Sequence, residues 1–290
     1  MTFDCRSALY MPASNARALS KGPGLAADAI IIDLEDSVGP EAKLMARDQA
    51  VKTLTEVDYG YRLRALRINA ADTLWYQDDV DAVISSIPDV LVLPKVESAE
   101  DIARVSALLD ADHRASNVAI WAMMESAAAV VNAAKIAGCK KDLPRLTALL
   151  VGNNDLSRSA NMPISSDRTY LLPWLMTWVA AAKANHLGIL DGVYNEYRDL
   201  EGYESECVQG VSMGMDGKTL IHPTQIDIAN NIFTPSQSEV EHALAVVAAF
   251  ADPANEGAGV LQLNGQMIER LHLQMAQRTL ARAKKRGALV

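Results

Sequence analysis

The chain has 290 residues, with 27 Lys and Arg against 36 Asp and Glu, a formal charge of −9. Half of its residues are apolar and 22% are charged, the balance of an ordinary globular protein long enough to bury a large core. An acidic chain of pI near 5.1 lacks the basic face that nucleic acids and anionic membranes require, and with 5% aromatic residues it lacks stacking platforms for bases.

Cys5, Cys139 and Cys207 are too far apart for a local zinc cluster, and their odd number suits reduced thiols. Asp4 stands where a signal peptide would carry Lys or Arg, and the apolar run Leu171–Ala182 is interrupted by Pro173. A cytoplasmic protein is expected.

In chain order, short β-branched or aliphatic runs predict strands at Ser7–Met11, Ala29–Leu34, Leu63–Ile68, Val90–Val96, Val118–Met124, Leu146–Val151, Gly188–Val193 and Lys218–His222. Between them, segments such as Glu41–Val57, Ala99–Leu109 and Ser126–Ala137 space apolar residues as helices do. Eight strand–helix alternations predict a (β/α)8 TIM barrel over residues 1–232, closing near Ile228. Residues 233–290 form a helical extension in this reading, with helices Ser236–Phe250 and Gln266–Arg286 joined by the loop ADPANEGAGVLQLNG. Trp174, Met176 and Trp178 recur at helical spacing and read as core, and Cys207 falls in the helical stretch Glu201–Gly214. Phosphate-binding glycine signatures and HExxH are absent.

A barrel keeps its active site where the strands end, and polar residues gather there. Asp33, Glu35 and Asp36 follow the second strand, Arg67 and Asn69 the third, and Lys95 and Glu97 the fourth. Glu125, the pair Asn154–Asp155, the pair Asn195–Glu196 and His222 follow strands five to eight. Oxygen ligands of this kind suit Mg²⁺ or Mn²⁺, which keep waters and take substrate oxygens. A guanidinium such as Arg67 can hold a substrate carboxylate while a metal polarises a neighbouring oxygen. Spacing alone leaves the reaction open.

The segments RSALYMPASNARAL, DAIIIDLEDSV, LRINAADT, VLPKVESAEDI, AMMES, VGNNDLS, GVYNEYRDLEG and DGKTLIHPTQI resemble, in order and over nearly the whole chain, the citrate lyase β-subunit/malyl-CoA lyase family of the HpcH/HpaI aldolase superfamily. The resemblance implies a Mg²⁺-dependent carbon–carbon lyase that splits or forms a 3-hydroxy-3-carboxyacyl-CoA from an acyl-CoA and a 2-oxo acid. Malyl-, methylmalyl- and citramalyl-CoA are the expected substrates. The alternatives are a malyl-CoA thioesterase, a citrate lyase subunit working on a carrier-protein thioester within a larger complex, and a catalytically reduced oxo-acid or CoA-binding protein.

Matched by motif, Glu125 and Asp155 are the implied metal ligands and Arg67 the clamp on the oxo-acid carboxylate. Glu35 and Asp36 belong beside the metal waters or behind them. Arg6 is the leading implied CoA contact, while Arg17 and Lys21 fit that role and an exposed helix face equally. Lys95 reads as a neutralising partner of Glu35 or Glu97, and His222 as a brace of the strand end. The family's C-terminal LNGKMVD supplies a proton-transferring Asp, often across a subunit boundary, in a trimer or hexamer. Here the segment reads LNGQMIE, so Glu269 takes that place with one methylene more. The first 70 residues hold nine basic and nine acidic residues, so the acidity lies beyond them and leaves room for one small polyanion.

Overall fold

The structure is a computed structural model, described here for residues 3–285. Eight parallel strands close a barrel in sequence order: β1 (Ser7–Pro12), β2 (Ala29–Asp33), β3 (Leu63–Arg67), β4 (Val90–Leu93), β5 (Ala119–Met124), β6 (Leu146–Val151), β7 (Gly188–Asp191) and β8 (Gly217–Leu220). The TIM-barrel expectation holds. Strand alternation sends Ala8, Ile31, Ala65, Val92, Trp121, Leu150 and Leu190 into the interior, a mix of small and large residues that fills the tapering core. Phe3 plugs the amino-terminal end, its ring 5.7 Å from Trp121 and edge-on to it. A Cβ on Gly188 would lie 2.1 Å from the Phe3 ring, so β7 needs glycine to admit the plug. Burying side chains of this size contributes about 1.5–3 kcal/mol each.

Two-residue alternation has a consequence for function. Continued to the carboxyl ends, the inward positions become Tyr10, Asp33, Arg67 and Met123 rather than more aliphatics, and the register sets Asp33 directly beside Arg67. Several strands are shorter than their apolar runs. β4 stops at Leu93 because Pro94 cannot donate to the ladder and Lys95 turns into the left-handed region at φ 53°. The helix expected at Ser126–Ala137 is two helices, Ala127–Val131 and Ala133–Gly138, broken at Asn132. Trp178 is core, Trp174 is half-buried, and Met176 points outward at 45% exposure, correcting its assignment to the core.

A second compact unit begins at Asn231. Its first helix, Gln237–Ala251, matches the expectation closely. The following segment does not. Val260–Leu263 (β9) and Gln266–Glu269 (β10) pair as an antiparallel hairpin, and the last helix starts only at Arg270. The turn is Asn264–Gly265 with both φ angles positive (51° and 80°), the geometry an Asn-Gly pair favours. Glu269 therefore ends a strand rather than sitting within a helix. The hairpin and both helices share a small core of Ala243, Val246, Ile268 and Ala276. Among the described residues, no helix is long and apolar enough to cross a membrane.

Candidate active site at the strand ends

Asp33 and Arg67 form the base of the site. Arg67 Nε and Nη2 donate to the two oxygens of Asp33 at 2.6 and 2.7 Å, and the same oxygens accept the backbone N–H groups of Glu35 and Ser37. Burial alone would raise the Asp33 carboxyl, but the Arg67 charge and these hydrogen bonds hold it below its ordinary range. The outcome is local folding. A carboxylate that binds two amides of the following turn fixes residues 34–37, and so aims Glu35 and Asp36. Lys43 secures the same turn from the far side, its Nζ donating to the Leu34 and Glu35 carbonyls and to Asn69 Oδ1, each at 2.7 Å.

The third guanidinium nitrogen, Arg67 Nη1, faces Glu35 at 3.0 Å and Asp36 at 3.5 Å, and the guanidinium lies 4.7 Å from the Tyr10 ring centroid. Glu125 extends β5 by one residue and accepts the Lys95 N–H at 2.6 Å, a contact that the left-handed turn at Lys95 makes possible. A Cβ on Gly152 would lie 2.4 Å from Glu125 Oε2, so glycine at the end of β6 is what lets this carboxylate stand there. Asp155 occupies the first turn of the helix Asn153–Ala160, where the helix dipole favours an acid, and pairs with the exposed Arg158.

A cavity of about 250 Å³ opens over these groups, lined by Asp36, Arg67, Glu125 and Asp155 with Tyr10, Met123, Val151, Asn153, Val193, Thr219 and Ile221. The structure thus brings Arg67, Asp36, Glu125 and Asp155 together. Glu35 stands behind the wall, 6% exposed, with Lys95 Nζ 3.5 Å from Oε1. An adjoining cavity of about 380 Å³ shares Tyr10 and Ile221 and is lined by Arg17, Lys21 and His222. His222 caps the Pro223–Gln225 turn, accepting the Thr224 N–H at Nδ1, and stacks on Tyr197 at 4.5 Å.

Arg6 is a correction. It precedes β1, at the opposite end of the barrel, where its guanidinium makes a two-pronged pair with Asp28 at 2.7 and 2.9 Å. A residue at the amino end of a parallel strand faces away from the rim, so Arg6 is no contact for a ligand bound there. Glu269 belongs to the second unit, where its backbone N–H donates to His272 Nδ1. Cys207 is buried, which pushes its thiol up to about 11 and keeps it unreactive. Sequence patterns missed Tyr10 and Lys43. Tyr10 looks like one more apolar strand residue, although its inward parity with Ala8 marks it as facing the cavity floor.

The carboxylates of the rim outnumber its cations. Asp33, Glu35, Asp36, Glu125 and Asp155 face Arg67, Lys43, Lys95 and the exposed Arg158. Burial, with the nearby Glu35 and Asp155 charges, pushes the Glu125 carboxyl up to about 8, and burial raises Glu35 to about 7. Asn153 Oδ1 is buried without a hydrogen-bond donor, and Glu35 Oε1 has only Lys95 Nζ, at 3.5 Å. Crowded, under-neutralised carboxylates with poorly satisfied acceptors are the surroundings that a hard cation satisfies. Among the described residues no three acidic, His or Cys side chains converge as a complete metal shell, so a cation here would draw its remaining ligands from water and substrate.

The model of the HpcH/HpaI aldolase/citrate lyase family matches residues 6–223. The chain belongs to this family. Among its relatives, a (3S)-malyl-CoA thioesterase of Cereibacter sphaeroides is 46% identical over 279 residues, covering 96% of this chain and 94% of the relative. An L-malyl-CoA/β-methylmalyl-CoA lyase of Rhodobacter capsulatus is 31% identical, covering 94% of this chain and 92% of that one. The CitE protein of Mycobacterium tuberculosis, solved in complex with magnesium, acetoacetate and coenzyme A, superposes with a TM-score of 0.79 at 28% identity, over 97% of this chain and 98% of its own. The matched residues 6–223 contain all eight barrel strands and the carboxylates that gather at their ends.

Proposed function

We propose that this protein is a Mg²⁺-dependent enzyme acting on a 3-hydroxy-3-carboxyacyl-CoA thioester of the malyl type, and that it hydrolyses the thioester to the free hydroxy acid and CoA. The observation that carries this reading is the composition of the cavity. Arg67 is the one cationic side chain lining it among the described residues, and Asp33 already engages two of its nitrogens. That allows one substrate carboxylate. A second, as a citryl thioester would bring, would face Glu125, Asp155 and the apolar wall of Val151, Val193 and Ile221, at the cost of a desolvated, unpaired charge. The 46% identity to a malyl-CoA thioesterase supports the choice of reaction.

Glu125 and Asp155 would hold Mg²⁺, which would polarise the oxygens of the bound hydroxy acid. Arg67 orients the carboxylate through Nη1, and Asp36, with 59% of its side chain exposed, faces the cavity and takes the proton of the water that adds to the thioester carbon; the C–S bond then breaks and the departing CoA sulfur takes that proton. The neighbouring cavity with Arg17 and Lys21 receives the charged end of CoA. A second reading, cleavage of the carbon–carbon bond, is favoured by the carboxylate retained at Glu269, which a neighbouring copy in a homo-oligomer would supply to protonate the acyl-CoA carbon.

The test is incubation with malyl-CoA and Mg²⁺ while products are followed separately. Hydrolysis yields malate and free CoA in equal amounts. Appearance of acetyl-CoA and glyoxylate instead establishes the lyase, and loss of neither thioester nor carbon–carbon bond rejects both.

A further inference from the structure

A second buried charged cluster lies on the outer face of β7 and β8. Asp191 is fully buried, with Arg168 Nη1 at 2.8 and 2.9 Å from its two oxygens and Lys218 Nζ at 2.9 Å. Lys218 also donates to Glu206 at 2.6 Å. Thr219, the next residue, lines the cavity, so Lys218 faces the surrounding helices. None of these four charges enters the chemistry proposed above.

Hydrogen bonds connect the cluster to the helix Asn153–Ala160, which carries Asp155. Asp191 Oδ1 accepts the Gly192 N–H at 2.9 Å, and the Val193 carbonyl accepts Asn153 Nδ2 at 2.8 Å. A Cβ on Gly192 would lie 2.7 Å from Asn153 Oδ1, so this approach needs glycine. Asn153 opens the helix that carries Asp155. Beyond the other end of that helix the chain leads to Arg168, 2% exposed and in the left-handed region at φ 56°, with Nε donating to Gln209 at 2.7 Å. The segment bearing Asp155 is therefore fastened at both ends to residues 191–193.

We propose that Asp191, with Arg168 and Lys218 as its counter-charges, is a positioning cluster that sets Asp155 for cation binding. The proposal rests on the reading of Glu125 and Asp155 as cation ligands. Stability does not account for the cluster, because a buried, balanced set of charges is seldom worth more than well-packed apolar residues of the same volume. Arg168 supplies direction instead, its Nη1 bridging both Asp191 oxygens while its Nε holds Gln209, and loss of hydrogen-bonding residues behind a metal ligand costs metal sites about 10–100-fold in affinity.

The experiment is calorimetric titration of Mg²⁺, with Mn²⁺ followed by electron paramagnetic resonance, into the full-length protein at 25 °C. Arg168→Lys keeps the charge but cannot span Asp191 and Gln209 together, and its apparent dissociation constant should rise about 10–100-fold. Gln209→Ala, which removes only the Nε partner and leaves the ion pairs, should give a smaller rise and serves as the deciding variant if Arg168→Lys does not fold. A variant that is merely less stable would melt earlier yet keep its affinity at 25 °C. Wild-type affinity in a folded Arg168→Lys protein, or in Gln209→Ala when that is the variant left, overturns the proposal alone. Failure of the wild-type protein to take up either cation overturns the assignment of Glu125 and Asp155, and the proposal with it.

Discussion

Two guanidinium–carboxylate pairs stand at strand ends of one barrel, Asp33 with Arg67 inside it and Asp191 with Arg168 outside it. Each is buried: Arg67 holds Asp33 with two nitrogens, at 2.6 and 2.7 Å, and Arg168 holds Asp191 with Nη1 alone, at 2.8 and 2.9 Å from its two oxygens. Their surroundings differ in sign. Around Asp191 two acids meet two bases, and although burial opposes it, the Lys218 and Arg168 charges hold the Asp191 carboxyl below its ordinary range. Around Arg67 the acids are in excess, and burial lifts Glu125 and Glu35 well above theirs. The same pair of side chains is a brace in one place and the floor of the cavity proposed as the active site in the other. Charge balance with the neighbours separates the two outcomes.

Removing one carboxylate from each region should therefore act in opposite ways. Asp191→Asn leaves two buried cations short of a partner and should destabilise the protein by about 3–5 kcal/mol, read as a lower midpoint in urea at unchanged slope. Glu125→Gln removes a carboxylate whose surroundings already favour the neutral form. In chelator its melting temperature should equal or exceed wild type, while turnover of malyl-CoA with Mg²⁺ falls at least about 100-fold. Should Glu125→Gln lose stability as Asp191→Asn does, the distinction between brace and binding site collapses.

The difference between the two regions also explains what the sequence could disclose. Rim residues follow apolar runs directly, so Arg67, Glu125 and Asp155 could be placed at strand ends from periodicity alone. The brace is assembled from a strand terminus, a strand interior, a helix and a loop, and Lys218 within GKTL reads as any polar residue opening a strand. Only register, which sets Asp191 beside Lys218, brings them together. Arg6 failed for a related reason. Its motif is contiguous with the β1 end that faces the cavities, but six strand residues carry the chain from one end of the barrel to the other. In the C-terminal segment, Asn264–Gly265 was a legible turn signal that the amphipathic run after it obscured.

Titration distinguishes the regions without any mutation. Glu125, up at about 8 against an ordinary 4.5, binds a proton in the folded chain that the unfolded chain has already released. A raised folded value means that this stability is fully present below the unfolded pKa and is lost as pH rises through about 8. In chelator, then, the Glu125 proton alone should cost about 3 kcal/mol of stability between about pH 6 and about pH 9, and the slope should be clearly shallower in Glu125→Gln, where Glu35, raised to about 7, supplies what remains. Asp191 behaves in the reverse sense. Its depressed folded value contributes stability present above the unfolded value of 3.8 and lost only as pH falls through its folded value, so it adds nothing to the slope at neutral and alkaline pH. Mg²⁺ should flatten the wild-type profile by favouring the ionised rim. A wild-type profile already flat in chelator would mean that the rim carboxylates are neutralised by the protein itself, and the contrast on which the site assignment rests would fail.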